Sequence, residues 1–343
     1  MKTILVTGGT GYIGSWAVKE LLKKGHTVRL ASRNTSNKEK FKHLYEIAEK
    51  TDGKLEIYEA NLLEEGSFDE AANGSDAIIH IASPFKINVK DAHKELIEPA
   101  KQGTQHVLSA ATKSGSVKKV ILTSSAAAIY GDTKDMKEQG LAVYNETHWN
   151  QSSSEKHQPY SYSKTVAEKT AWQIAGSQDQ WSLVVINPTF VIGPSLTNLS
   201  SSESLNFMKD LLSGKFKMGA PELYFGFVDV RDVAHAHLLA LENQEAEGRH
   251  IISNTSLSFL SLAKLVEKQF PGKYKLPKSV TPKFLMYLMG WMFGVSIKFI
   301  KNNVGYEVRF DNTKGKNKLG ISYRGIDESV HDMVHQMEQE GVI

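Results

Sequence analysis

The sequence predicts an α/β protein, a doubly wound parallel sheet with helices on both faces. Two observations lead there. Short β-branched runs alternate with helix-patterned segments along much of the chain, the pattern of successive βαβ units. Several of those runs, Ile4-Leu5-Val6 and Ala77-Ile78-Ile79-His80-Ile81-Ala82 among them, are almost wholly apolar, as strands covered on both faces must be. With 343 residues the chain can bury a large core, and its length fits two domains or one large α/β domain with an appendage.

The first strand, Ile4 to Val6, runs into Thr7-Gly8, and a helical pattern from Ser15 to Lys24 follows at once, leaving glycines at 8, 11 and 14 on the turn. Such a turn is tight, lets a pyrophosphate approach the backbone, and aims free helical N–H groups at it, so it reads as a dinucleotide site. Thr27 to Ala31 is the second strand and Leu55 to Glu59 the third. Leu62 to Asn73 reads as a short helix, and Ala77 to Ala82 as the fourth strand, with Ser83-Pro84 turning beside the expected groove. His93 to Thr112 reads as a long helix broken or kinked near Pro99, and Val117 to Ser125 as the fifth strand. From Gly131 to Gln158 the chain is polar and aperiodic, the mark of a functional or mobile loop. Pro159 opens a helix over Tyr160 to Ala175, Leu183 to Pro188 is the sixth strand, Val233 to Glu242 a helix, and His250 to Ser253 a further strand. There is no internal repeat.

Composition narrows the function. A net charge of +3 from 41 basic and 38 acidic residues gives no reason to expect nucleic acid or an anionic membrane as partner. The chain has no cysteine, hence no disulfide, thiolate nucleophile or cysteine metal site. Its opening directly on a strand leaves no room for a signal peptide, and the apolar stretch from Phe284 to Ile297 is too short to span a bilayer. The expectation is a cytoplasmic protein without a metal. The cluster of Phe284, Met286, Tyr287, Met289, Trp291, Met292 and Phe293 is expected in the core or on a substrate-pocket wall.

Two further features carry chemistry. The second strand ends at Ser32-Arg33, where an acidic residue would bind a ribose 2′-hydroxyl. Arg33 there favours a 2′-phosphate, hence NADP(H), while Lys38 and Lys42 read as a solvated face. Tyr160 and Lys164 lie four apart at the start of one helix and share a face, and Ser125 ends the fifth strand at the same sheet edge. A hydride delivered to a carbonyl carbon leaves an oxygen that needs a proton. A phenol with an ammonium nearby to lower its pKa can supply one, and a serine hydroxyl can hold the oxygen. Tyr162 has Val166 four residues on and so lacks such a cation. His235 and His237, two apart, fall on different faces and make poor joint metal ligands; His80, His93 and His250 read as structural, and Asp229 and Asp232 as helix-start caps.

With these motifs in place the chain resembles the extended short-chain dehydrogenases/reductases, most closely the dihydroflavonol reductase-like branch with its cinnamoyl-CoA and methylglyoxal/aldehyde reductases. The stretches that carry the resemblance are Thr7 to Trp16, Gly66 to Ala71, Leu122 to Ala126, Tyr160 to Lys164, Asn187 to Pro194 and Phe227 to Ala234. The resemblance implies a Rossmann sheet of about seven strands over 1–188 and 226–255, with a smaller substrate-binding domain over 189–225 and 256–343. It places a Ser-Tyr-Lys site on Ser125, Tyr160 and Lys164. It implies NADP(H) contacts from Thr7, Gly8, Gly11, Tyr12, Ile13, Gly14, Arg33, Lys40, Asn61, Leu62, Ala82, Ser83, Tyr160, Lys164, Pro188 and Val191. Phe85 and Tyr130 are the candidate substrate contacts.

The chain departs from the branch at Asn61, where an Asp is common, and at Tyr130, where the plant flavonoid reductases carry a substrate-binding Asn. The expected activity is reduction of a small-molecule aldehyde or ketone by NADPH. The alternatives are a sugar-nucleotide epimerase or dehydratase retaining NAD, against which Arg33 argues, and a non-catalytic NADP(H)-sensing module. The resemblance implies a monomer or a homodimer.

Overall fold

The computed structural model describes residues 1–83, 89–197, 202–290 and 294–343. Its elements follow in chain order: β1 Thr3–Thr7, α1 Tyr12–Lys23, β2 Thr27–Ser32, α2 Lys42–Ala48, β3 Lys54–Glu59, α3 Asp69–Ala72, β4 Ala77–His80, α4 Glu98–Ser114, β5 Lys119–Thr123, α5 Lys134–Glu138 and α6 Pro159–Ala175. Then come β6 Ser182–Pro188, β7 Phe190–Ile192, α7 Glu203–Leu212, β8 Tyr224–Asp229, α8 Val230–Glu242, β9 Gly248–Ile252, β10 Thr255–Ser258, α9 Phe259–Gln269, α10 Lys283–Met289, α11 Ile297–Asn303 and α12 Ile326–Gln339.

Seven strands form one parallel sheet in the order β3-β2-β1-β4-β5-β6-β9. Order reverses between β1 and β4, and the crevice beyond their carboxyl ends is where such sheets take ligands. Alternate side chains of each strand face opposite layers. Ile4 and Val6 join a core with Val18, Leu21 and Leu22 of α1 and Val233 and Ala236 of α8. Leu5 joins the other, with Val107, Leu108 and Ala111 of α4 and Ala171 of α6. Each fully buried Val, Leu or Ile side chain among them stabilises the fold by roughly 1.5–3 kcal/mol. A smaller sheet, β10-β8-β7, backs a third core that includes Met208, Phe227, Phe259, Leu262, Val330 and Met333.

Several elements differ from the sequence reading. Helix α1 starts at Tyr12, three residues earlier, because Gly11 already serves as its N-cap. The segment from Leu62 becomes turns as far as Phe68, since Asn61 accepts from the Leu63 N–H at 3.2 Å and Gly66 takes a φ of 77°, leaving only the single turn α3 as helix. Pro99 produces no break. A wide π turn over His93–Ile97 precedes it, with the Glu98 N–H bonded to the His93 carbonyl, and the widened turn makes room for a ring that has no N–H. The 131–158 loop contains α5 and is pinned at both ends by buried polar groups.

The apolar segment after Pro282 is not core. Phe284, Tyr287, Leu288 and Ile297 are 64%, 39%, 67% and 68% exposed, because α10 and α11 lie outside all three sheet-flanking cores. Trp291, Met292 and Phe293 lie outside the described residues. No helix among the described residues is long and apolar enough to cross a membrane.

Candidate active site

The glycine turn is forced by contact. Gly8 has a φ of 71°, and a Cβ there would stand 2.7 Å from the Ala82 nitrogen. A Cβ on Gly14 would lie 2.0 Å from the Gly8 carbonyl oxygen, so only glycine lets α1 pack this close to β1. A Cβ on Gly11 would meet only that oxygen, at 3.2 Å, and otherwise points into open space. Helix α1 has no side-chain cap and no acidic residue in its first turn, so among the described residues the N–H groups of Tyr12, Ile13 and Gly14 have no partner and are left for a ligand on that open side. A pyrophosphate fits this cradle on charge and on space.

Two residues placed at the cofactor by sequence use their side chains elsewhere. Thr7 Oγ1 shares a 2.7 Å hydrogen bond with His80 Nδ1 and accepts from the Ala82 N–H, locking β1 to β4. The Tyr12 hydroxyl donates to the Gly193 carbonyl at 2.5 Å, and Trp16 Nε1 donates to Pro194, fastening α1 to the end of β7. Ala82 and Ser83 follow β4 at the sheet's carboxyl edge, while Pro188 ends β6 and Val191 lies buried in β7.

Arg33 is exposed immediately beyond β2, and Lys40 lies in the short 3-10 turn Lys38–Phe41. Among the described residues neither forms an ion pair, so both guanidinium and ammonium are available to an anion at this strand end. Asn61 follows β3, its amide oxygen accepting from Leu63 and its amide nitrogen donating to Glu64 at 2.7 Å. Leu62 packs on Gly103 of α4, where a Cβ would come within 3.2 Å of it.

Ser125 caps the turn after β5, its Oγ accepting from the Ala127 N–H at 3.1 Å. Tyr160 and Lys164 occupy the first two turns of α6, and Lys164 Nζ lies 6.0 Å from the centre of the Tyr160 ring. Both groups are desolvated. Burial lowers the Lys164 ammonium to about 8, against the pull of Glu168, and burial, aided by the Lys164 charge, depresses His80 to about 3. Burial, reinforced by the Glu203 carboxylate, raises the Tyr160 phenol to about 12. The direction is opposite to the expected lowering of the phenol pKa, and loss of hydration is its main cause.

Sequence reasoning missed what lies underneath. Glu168, fully buried one turn beyond Lys164, accepts from Ser124 Oγ at 2.5 Å, Asn187 Nδ2 at 2.8 Å and Arg249 Nε at 2.6 Å. Asn187 Nδ2 also donates to the Ser125 carbonyl at 3.2 Å. Arg249 continues to the carbonyls of Glu146 and His148 and stacks 3.9 Å from the centre of Trp149. One carboxylate thus joins α6, the ends of β5 and β6, and β9. A buried Glu four residues after the lysine was the available signal.

Tyr130 packs into an aromatic cluster, with ring centres 5.7 Å from Tyr144 and 5.3 Å from Phe310. Phe85 lies outside the described residues. His237 is buried against Thr123 at 2.6 Å, and His235 faces Glu20 on the surface. Asp229 caps α8 as expected, its Oδ1 accepting from the Arg231 N–H at 2.7 Å, whereas Asp232 pairs with Arg324. His93 is a surface residue paired with Glu155, not a structural histidine. His250 is buried. Among the described residues no group of three or more His, Cys, Asp or Glu is placed to hold a metal ion.

The chain is similar to known proteins over nearly its whole length. Residues 4–253 match the model of the NAD dependent epimerase/dehydratase family. Cinnamoyl-CoA reductase CAD2 of Medicago truncatula is 33% identical over 99% of this chain and 96% of its own length. Dihydroflavonol 4-reductase of Gerbera hybrida is 35% identical over 79% of this chain and 74% of its own. The structure of Gre2 from Candida albicans in complex with NADPH superimposes with a TM-score of 0.78 at 31% identity, covering 99% of both chains. The chain therefore belongs to the NAD dependent epimerase/dehydratase family, the extended short-chain dehydrogenases/reductases.

Proposed function

We propose that this protein is an oxidoreductase that reduces an aldehyde or ketone of modest size to the alcohol with NADPH. The observation that carries the reading is Tyr160 and Lys164 on the opening turns of α6, a helix that packs on the turn Ser125 caps after β5, with Lys164 lining a cavity with His80, Ala82 and Ser83. The reductase relatives and the NADPH-bound Gre2 structure support it. Bound NADPH supplies the hydride from C4 of its nicotinamide.

The chain's own residues do the rest. Ser125 Oγ donates to the carbonyl oxygen and fixes it, and the Tyr160 phenol, held protonated by burial, gives its proton to that oxygen as charge develops there. The Lys164 ammonium stabilises the phenolate left behind and holds the nicotinamide ribose. The N–H groups of Tyr12, Ile13 and Gly14 hold the pyrophosphate, and Arg33 with Lys40 holds the 2′-phosphate.

Absorbance loss at 340 nm, followed with NADPH and with NADH over aldehydes, diketones, ketoesters and flavanones, tests the reading. Strong NADPH preference on carbonyl substrates is expected. No turnover, with NAD found bound in the purified protein, would point instead to an epimerase.

A further inference from the structure

Among the described residues one non-glycine residue has a positive φ: Gln158, at φ 55° and ψ 57°. It stands immediately before Pro159, a place where the backbone favours extended conformations, and two residues before Tyr160. Its carbonyl accepts from the Tyr162 N–H at 3.1 Å, so this left-handed residue sets where α6 begins.

What holds Gln158 there is a buried carboxylate. Gln158 Nε2 donates to Asp132 Oδ1 at 2.6 Å, and Asp132 is 1% exposed. The preceding residue, His157, places Nε2 2.8 and 2.9 Å from the two Asp132 oxygens, and a tight Ser154–His157 bridge closes the turn behind it. From the opposite side, Asn302 and Asn303 at the end of α11 donate their side-chain amides to Asp132 at 2.7 and 2.6 Å. Asn303 also accepts from the Thr133 N–H at 3.0 Å. Four side chains from two distant segments thus converge on one carboxylate. Burial alone would raise its pKa, but the hydrogen bonds from Asn302, Asn303 and His157 outweigh it and keep the group ionised.

We propose that Asp132 is a positioning residue for Tyr160. It clamps Gln158 in the left-handed conformation from which α6 starts, and it makes that clamp depend on the docking of α11. The proposal rests on the reading of Tyr160 as the proton donor. In this view, the C-terminal segment that carries α11 sets the position of the phenol without touching the reacting atoms.

Side-chain identity at 158 separates a backbone clamp from ordinary packing. Gln158→Ala removes the hydrogen bond and keeps the strain, whereas Gln158→Gly removes the bond and the strain together. With kcat counted per NADPH-binding molecule, Ala is expected to lose roughly 10- to 100-fold, as small misplacements of a catalytic group do, with the Kd for NADPH unchanged. Gly is expected to lose several-fold less than Ala. Asp132→Asn should resemble Gln158→Ala, and Gln158→Gly in that background should recover part of the rate. Asn302→Ala, which removes one donor from α11, should lower kcat more than it raises KM, and it serves if Asp132→Asn fails to fold.

Equal kcat for the Ala and Gly variants, or an Asn302→Ala enzyme with wild-type kcat per folded molecule, would overturn the proposal. Failure of the underlying reading would look different: Tyr160→Phe would then retain its rate.

Discussion

Lys164 Nζ lies 6.0 Å from the centre of the Tyr160 ring, and burial drives their pKa values apart, to about 8 and about 12. The sign of the pH dependence follows. Tyr160 stays a neutral acid throughout the working range, so it sets no limb. Lys164 is charged below about pH 8 and loses its charge above it. In the reductive direction kcat/KM for NADPH, which reports the free enzyme, should be flat at neutral pH and fall towards tenfold per unit above about pH 8. Lys164→Arg should move that limb out of range. A profile flat to pH 10 in the wild type would contradict the assignment.

At the end of β2, where the 2′-phosphate is expected to lie, Arg33 forms no ion pair with any described residue. Arg33→Ser should raise KM for NADPH by roughly 10- to 100-fold, the worth of one or two charge-assisted hydrogen bonds, and change KM for NADH little. Steady-state kinetics with both cofactors measures this. An equal effect on the two would place the phosphate elsewhere.

Glu168 and Arg249 meet at 2.6 Å with 0% and 7% of their side chains exposed. Glu168→Ala should cost about 3–5 kcal/mol in urea unfolding, because it leaves a buried guanidinium uncompensated. Glu168→Leu with Arg249→Met should cost less than the two single changes summed. A loss below about 1 kcal/mol for Glu168→Ala would show that the pair carries little of the fold.

Gly14→Ala would put a methyl 2.0 Å from the Gly8 carbonyl oxygen. It should lower Tm and abolish NADPH binding, whereas Gly325→Ala, at the N-cap of α12 with no positive φ and no non-neighbouring described atom within 4 Å, should leave NADPH binding unchanged. Calorimetry with and without NADPH separates the two effects.

The legible parts of the molecule are those where local geometry demands a residue type. Gly8 and Gly14 are legible because a Cβ collides there, and Tyr160 with Lys164 because four residues make one helical face. The apolar runs of β1, β4 and β5 gave the parallel sheet for the same reason. What escaped depends on which segments meet. Arg249 reaches Glu168 only because β9 joins β6 at the sheet edge, and no spacing in the chain records that. Gln158 carries no mark of a left-handed residue, since its conformation is imposed by Asp132. Phe284 and Tyr287 read as core or as a pocket wall because composition reports apolarity and not which face a neighbour covers.

The most direct test is to compare wild type with Tyr160→Phe, following NADPH oxidation on the best carbonyl substrate and NADPH binding by fluorescence. Turnover is expected to fall by roughly 10²–10⁴, the contribution of a positioned general acid, while the Kd for NADPH stays within about threefold. A Phe variant that turns over near the wild-type rate would remove Tyr160 from the chemistry, and the carbonyl-reductase mechanism with it.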